Sequence, residues 1–197
     1  SAIKSYKQAL SIKTDFAEAF NNLGIALKEL GQLDTAVKSY EQVLTINPDL
    51  VEAHNNLGIT LQELGQNDDA VKCFEQALAI QPDYVDAHRN LGISLQELGR
   101  HDDAVKCFEQ ALSIQPDFAD AHYNLGNAFT DLGQHGNAIK SYEQALAIKP
   151  DYAEAHNNLG ITLKELDQLD AAVKCYEKAL AINPDFAEAH NNLGNTL

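Results

Sequence analysis

The sequence predicts an all-α protein built as a solenoid of repeated helix pairs, and three observations support this. The chain repeats itself every 34 residues along its whole length. Each repeat carries apolar residues at three- and four-residue spacing, which is typical of the buried face of a helix. Each complete repeat also has a proline near its end, and four of the five have a glycine near the middle, and these residues divide the repeat into two helices.

The repeat is marked most clearly by glycines in the first helix and prolines after the second. They stand at Gly24, Gly58, Gly92, Gly126, Gly160 and Gly194, and at Pro48, Pro82, Pro116, Pro150 and Pro184. The spacing predicts a single array over 1–197. Its complete units are 17–50, 51–84, 85–118, 119–152 and 153–186, preceded by the second helix of a unit (1–16) and followed by part of a first helix (187–197).

The second unit shows the expected helix boundaries. Its first helix is predicted from Val51 to Leu64 and its second from Asp68 to Ile80. Asp49 and Glu52 have the spacing of a capping box, in which the aspartate caps a free backbone amide. Gly65 follows the first helix, where a left-handed residue often ends a helix.

Two places depart from the pattern. Asp167 stands where the other units have a glycine such as Gly65, so it must adopt a positive φ at a cost or change the turn. His135, Gly136 and Asn137 begin a second helix with weak helix formers, so this helix is expected to start late or fray.

Composition excludes several classes of function. The formal charge of −15 and pI near 4.6 argue against nucleic acid and anionic membranes as partners, and favour solubility and basic partners. No apolar run approaches the length of a membrane span. Methionine is absent, so the chain is expected to be a piece of a longer protein.

The cysteines are expected to pack in the fold without forming disulfides. Cys73, Cys107 and Cys175 are odd in number and share one repeat position with serines such as Ser39. Reduced thiols suit a cytoplasmic protein.

Histidines form the most conspicuous row of chemically active side chains. The row is His54, His88, His122, His156 and His190. Successive layers of a solenoid are about 10 Å apart, so no two of these histidines can share one metal ion. They are expected to pack between helices with one ring nitrogen hydrogen-bonded, while His101 and His135 are expected to be exposed in turns. No catalytic site, metal site or cofactor is predicted, and the chain is expected not to be an enzyme.

The repeat resembles that of the tetratricopeptide repeat family. In the second unit the residues that carry the resemblance are His54, Leu57, Gly58, Ala70, Phe74, Ala77 and Pro82. The resemblance covers the whole chain and has the family's 34-residue period. It implies a right-handed superhelix whose first helices line a concave groove, and a role in binding other proteins.

An asparagine occupies the same groove position in every first helix. These residues are Asn22, Asn56, Asn90, Asn124, Asn158 and Asn192. A carboxamide both donates and accepts hydrogen bonds, which suits the backbone of an extended peptide. The repeats are similar to those of O-linked N-acetylglucosamine transferases, whose asparagines hold a peptide backbone, and this implies the same role here. Layers about 10 Å apart match about three residues of extended chain.

The rows beside the asparagines describe the expected ligand. One turn further lie Ile25, Ile59, Ile93 and Ile161, with Asn127 and Asn195 breaking the row. Acidic residues flank both rows at Glu18, Glu52, Asp86, Asp120, Glu154 and Glu188, and at Glu29, Glu63, Glu97, Asp131 and Glu165. An extended peptide with some basic and some apolar side chains complements such a face.

Other interpretations remain open at this stage. The asparagines could form a structural ladder between helices, although the adjacent row (Asn21, Asn55, Arg89, Tyr123, Asn157 and Asn191) has changed identity. The chain could be a scaffold that associates head to tail through its half units. It could also be the recognition arm of a larger enzyme, such as a glycosyltransferase.

Overall fold

A computed structural model describes residues 2–197, which form twelve α-helices and no strand. The helices are α1 (Ala2–Ile12), α2 (Ala17–Glu29), α3 (Leu33–Ile46), α4 (Val51–Glu63), α5 (Asn67–Ile80), α6 (Val85–Glu97), α7 (His101–Ile114), α8 (Ala119–Asp131), α9 (His135–Ile148), α10 (Ala153–Glu165), α11 (Leu169–Ile182) and α12 (Ala187–Gly194). They fall into two compact halves, an N-terminal half up to Gly99 and a C-terminal half from Arg100. None of the helices in residues 2–197 has both the length and the apolar character to cross a membrane.

Within each half the helices pack as repeated pairs. The even-numbered helices are the first helices of the repeats, and the odd-numbered ones are the second helices. In the N-terminal half, α4 packs on its partner α5 and on the first helices α2 and α6; in the C-terminal half, α10 packs on α11, α8 and α12. This arrangement confirms the predicted α-solenoid of helix–turn–helix units.

In four of the helix pairs an aromatic ring packs against a glycine of the first helix. A Cβ added to Gly58 would lie 2.6 Å from Cε1 of Phe74, whose side chain is fully buried. The equivalent pairs are Gly24 with Tyr40, Gly126 with Tyr142, and Gly160 with Tyr176. The glycine therefore allows the two helices to approach closely.

The turn between the paired helices keeps one shape in every complete repeat. Gly31, Gly65, Gly99 and Gly133 have φ of 68–72°, and Asp167 adopts 59° at the same place. The aspartate therefore takes the left-handed conformation at a cost, which is about 1–2 kcal/mol for a residue with a Cβ.

The predicted capping box is wrong. The N-cap of α4 is Leu50, so Asp49 lies one residue outside the helix, and the N-cap has no side-chain hydrogen bond. The N-cap position is used for packing, as its equivalent Tyr84 shows by lying against Val51 and Ala87.

The predicted fraying of α9 is also wrong. The helix begins at His135 and runs for 14 residues, the same length as α7. Its inner face buries Ala138, Tyr142 and Ala145. Burial of this face outweighs the weak helix propensity of the first turn.

Candidate functional site

The asparagine row lies on the first helices of both halves. Asn22, Asn56 and Asn90 are on α2, α4 and α6, and Asn124, Asn158 and Asn192 are on α8, α10 and α12. Asn90 is buried, with 3% of its surface exposed, and the other five are partly buried.

In the N-terminal half, Asn56 and Asn90 each form a hydrogen bond with the asparagine 35 positions earlier, which lies on the first helix of the preceding repeat. Nδ2 of Asn90 donates to Oδ1 of Asn55 over 3.1 Å, and Nδ2 of Asn56 lies 3.4 Å from Oδ1 of Asn21. Oδ1 of Asn90 also accepts a hydrogen bond from Arg89 over 3.0 Å. These bonds join α2 to α4 and α4 to α6.

In the C-terminal half, the carboxamides form a directional chain of hydrogen bonds. Asn192 donates to Asn157 over 3.0 Å, and Asn157 donates to Asn158 over 3.2 Å. Nδ2 of Asn158 then donates to the hydroxyl of Tyr123 over 3.1 Å and to Oδ1 of Asn127 over 3.0 Å. The chain links α12, α10 and α8.

Sequence reasoning missed the partners of the ladder. The changing identity of the row that contains Asn55 and Asn157 argued against a ladder, yet these two side chains accept the bonds. At Tyr123 the residue type changes but an oxygen that accepts from Asn158 is kept. The available signal was an oxygen-bearing residue 35 positions before Asn56, Asn90, Asn158 and Asn192.

Isoleucines and acids share this face with the asparagines. Ile25, Ile59, Ile93 and Ile161 are all partly buried. In the C-terminal half, Asn158, Ile161, Glu188 and Asn192 line one open pocket of about 610 Å³. In the N-terminal half, a smaller pocket of about 420 Å³ is lined by Glu18, Asn21, Leu50 and Glu52, among others.

The acidic character of the face is partly compensated between helices. Lys28 pairs with Glu63 over 2.9 Å, so one acid of the outer row is neutralised. Glu18, Glu52 and Glu188 are exposed beside the pockets. The pockets therefore combine carboxamides, apolar surface and negative charge.

The histidine row makes the predicted hydrogen bonds, although His190 is exposed and is not packed between helices. Each Nε2 bonds to the carbonyl of the proline six residues earlier, over 2.8–3.1 Å. Only His156 of this row is buried. The expected exposure of His101 and His135 is wrong, since each side chain is only 30% exposed and its Nδ1 lies near Asp131 (3.4 Å) or Glu165 (3.2 Å).

Comparison with family models identifies similar repeats through most of the chain. One tetratricopeptide repeat model matches residues 15–83 and 49–117, and a second matches 107–140. A model described as TPR repeat matches residues 126–167 and 162–197. No curated protein sequence matches the chain.

Several solved structures are similar to this fold. The crystal structure of MamA is 28% identical with a TM-score of 0.76, covering 84% of this chain and 97% of that one. A thermophilic TPR protein of Thermus thermophilus is 26% identical with a TM-score of 0.73, covering 91% and 98%. YrrB, described as a TPR protein with an unusual peptide-binding site, is 20% identical with a TM-score of 0.76, covering 99% and 100%.

Proposed function

Because the chain belongs to the tetratricopeptide repeat family, we propose that it is a non-catalytic module that binds an extended peptide along the face of its first helices. The observation that carries the proposal is the open pocket that brings Asn192, Ile161 and Glu188 together on the face of the first helices. The array extends over residues 1–197, with the unit boundaries that the period predicts.

Carboxamides supply the hydrogen bonds for a peptide backbone. A side-chain amide has two N–H groups and an oxygen, and the bond to the previous repeat uses only one N–H of Asn56. The remaining groups are available to an extended chain, which presents both carbonyls and amides. YrrB shares the fold and is described as having a peptide-binding site, which supports a peptide as the partner.

The neighbours of the asparagines favour a peptide with basic and apolar side chains. Glu18 and Glu52 line the pocket of the N-terminal half and attract lysine or arginine. Ile161 adds apolar surface to the pocket of the C-terminal half. The net charge of −15 speeds association with a basic peptide at low salt.

A structural role for the ladder is supported as well. The bonds from Asn90 to Asn55 and from Asn192 to Asn157 join successive repeats without any ligand. The two roles combine in one side chain, since an asparagine held by its neighbour is already oriented for a peptide. A scaffold that only associates head to tail needs neither a peptide nor this groove.

The test uses residues whose loss costs the fold little. Asn22 and Asn56 are partly buried, and the 3.4 Å bond from Asn56 to Asn21 is long. A phage-displayed library of random peptides is selected on the protein, and a selected peptide is measured by fluorescence anisotropy. The double variant Asn22→Ala, Asn56→Ala should bind this peptide about tenfold more weakly or worse, because each lost hydrogen bond costs about 1 kcal/mol of binding free energy.

Asn137→Ala is the matched control. Asn137 is exposed on the second helix α9, where its amide bonds only Gln134, so its replacement should leave peptide affinity unchanged. Circular dichroism confirms that each variant keeps its helices. Failure to select any peptide, or unchanged affinity in the double variant, contradicts the proposal. Concentration-dependent growth in light scattering, without any peptide binding, supports the scaffold instead.

A further inference from the structure

Asn127 interrupts the isoleucine row in the C-terminal half and is held by a network that the isoleucines lack. Its Oδ1 accepts a hydrogen bond from the hydroxyl of Tyr142 over 2.8 Å and another from Nδ2 of Asn158 over 3.0 Å. Ile25, Ile59 and Ile161 occupy the equivalent positions, and their side chains can form no hydrogen bonds.

These two bonds orient the carboxamide of Asn127. Rotating it alone would place its N–H groups against Nδ2 of Asn158, and both sides would then be donors. Asn158 has the matching orientation in the structure, because its Oδ1 accepts from Asn157, whose Oδ1 accepts from Asn192. The chain of carboxamides therefore ends at Asn127 with its oxygen turned inward and its two N–H groups on the opposite side.

The same network occupies both N–H groups of Asn158, so this residue has no hydrogen-bond donor left for a ligand. Its Nδ2 donates to the Tyr123 hydroxyl and to Oδ1 of Asn127. The ring of Tyr123 is itself held, with its centroid 4.9 Å from that of Tyr152 and 6.1 Å from that of Tyr142. Asn127 is only partly buried, which leaves part of its surface open to a ligand beside Asn158.

We propose that Asn127 is a specificity-determining residue that selects a neutral hydrogen-bond acceptor, such as a glutamine or asparagine side chain, at one position of the bound peptide. This inference rests on the proposed peptide-binding function. The repeats with isoleucine at this place select an aliphatic side chain instead. A carboxylate is a poorer partner than a neutral acceptor, because the surrounding protein is strongly acidic. A fixed polar group discriminates well, since an apolar side chain would leave its N–H groups without a partner.

The experiment is a substitution array of a library-selected peptide, in which every position is replaced in turn by glutamine and by leucine. For the wild-type protein we expect one position at which glutamine binds about tenfold more tightly than leucine. Asn127→Ile, which restores the residue of the other repeats, should reverse this preference to leucine. Tyr142→Phe should reduce the preference for glutamine without changing the affinity for peptides with leucine at that position. The fold should tolerate this change, since Phe74 is the equivalent residue of the second repeat.

Asn137→Ile is the matched control. It makes the same replacement on the second helix α9, where Asn137 is exposed and its amide bonds Gln134, and it should leave the glutamine preference unchanged. Persistence of the glutamine preference in Asn127→Ile overturns the inference but not peptide binding. If no peptide binds the wild-type protein, the proposed function fails and the inference fails with it.

Discussion

Asn90 donates a 3.1 Å hydrogen bond from Nδ2 to Oδ1 of Asn55, and both side chains are buried. The donor stands 35 residues after the acceptor, so the bond connects one repeat to the next. Asn56 repeats the geometry with Asn21 over 3.4 Å. A residue that weakens an isolated helix is therefore kept where it joins neighbouring helices.

The Asn55–Asn90 bond should be measurable as a coupling energy. In a double-mutant cycle with alanine at both sites, we expect a coupling of about 1 kcal/mol in the free energy of unfolding, because each single variant leaves a buried polar group without its partner. Urea unfolding followed by circular dichroism measures it. The cycle at Asn21 and Asn56, with its longer and less buried bond, should give a smaller value. Equal values for the two pairs would contradict the importance of burial.

Two glycines should respond to alanine in opposite directions. Gly58→Ala places a Cβ 2.6 Å from the ring of Phe74, and overpacking of this kind costs about 1–3 kcal/mol. Gly136→Ala in α9 meets no atom within 4 Å, and it should stabilise the protein by about 0.5–1 kcal/mol through helix propensity. Urea unfolding of both variants tests the pair, and a stabilising Gly58→Ala would show that the helices are not closely packed there.

Two buried tyrosine hydroxyls should likewise differ. The Tyr142 hydroxyl donates to Asn127, so Tyr142→Phe should cost about 1 kcal/mol. In the described residues the Tyr40 hydroxyl is buried without a hydrogen-bond partner, and burial, aided by Glu29 and Glu63, raises the pKa of Tyr40 well above its ordinary value. Tyr40→Phe should therefore be neutral or stabilising. Thermal unfolding of both variants checks this, and equal losses would contradict it.

His156 should make the protein less stable in mild acid. Burial lowers the pKa of His156, Lys178 adds to the effect, and the hydrogen bond to Pro150 opposes it. The unfolded chain therefore takes up the proton more readily than the folded one. The contribution of neutral His156 to the free energy of unfolding is therefore present above about pH 6.5, and it is lost as the pH falls through the pKa of His156 in the folded protein.

The test compares thermal unfolding at about pH 7.5 and about pH 5.5. His156→Phe should lose less stability on acidification than the wild type, and Phe20 shows that a phenyl ring suits this position in the first repeat. His190→Phe, at the equivalent but exposed position, is the control and should behave as the wild type does. Identical losses in all three proteins would show that other groups dominate the acid response.

The sequence predicted the fold in detail because its period is strict. Gly58 and Phe74 recur with the repeat, and the structure sets one against the other. The errors concern positions where packing outweighs local preference. Leu50 takes the N-cap that Asp49 was expected to hold, and α9 forms fully despite Gly136.

The candidate site was predicted less completely, for a physical reason. A hydrogen bond needs an acceptor in space, and the period alone does not show which residue of the previous repeat provides it. The partner of Asn158 is the hydroxyl of Tyr123, so chemical function persists where residue identity changes. The role of Asn127 depends on Tyr142, which lies 15 residues away on another helix.

The most direct test of peptide binding is an NMR titration of the asparagine side-chain amides. A library-selected peptide is added to ¹⁵N-labelled protein, and the side-chain N–H₂ signals are assigned by single replacement of Asn22, Asn56, Asn127 and Asn137. We expect the signals of Asn22, Asn56 and Asn127, on the first helices, to shift with the peptide, and that of Asn137 on α9 to stay unchanged. Shifts confined to Asn137 and the second helices would contradict binding on the face that carries the asparagine row.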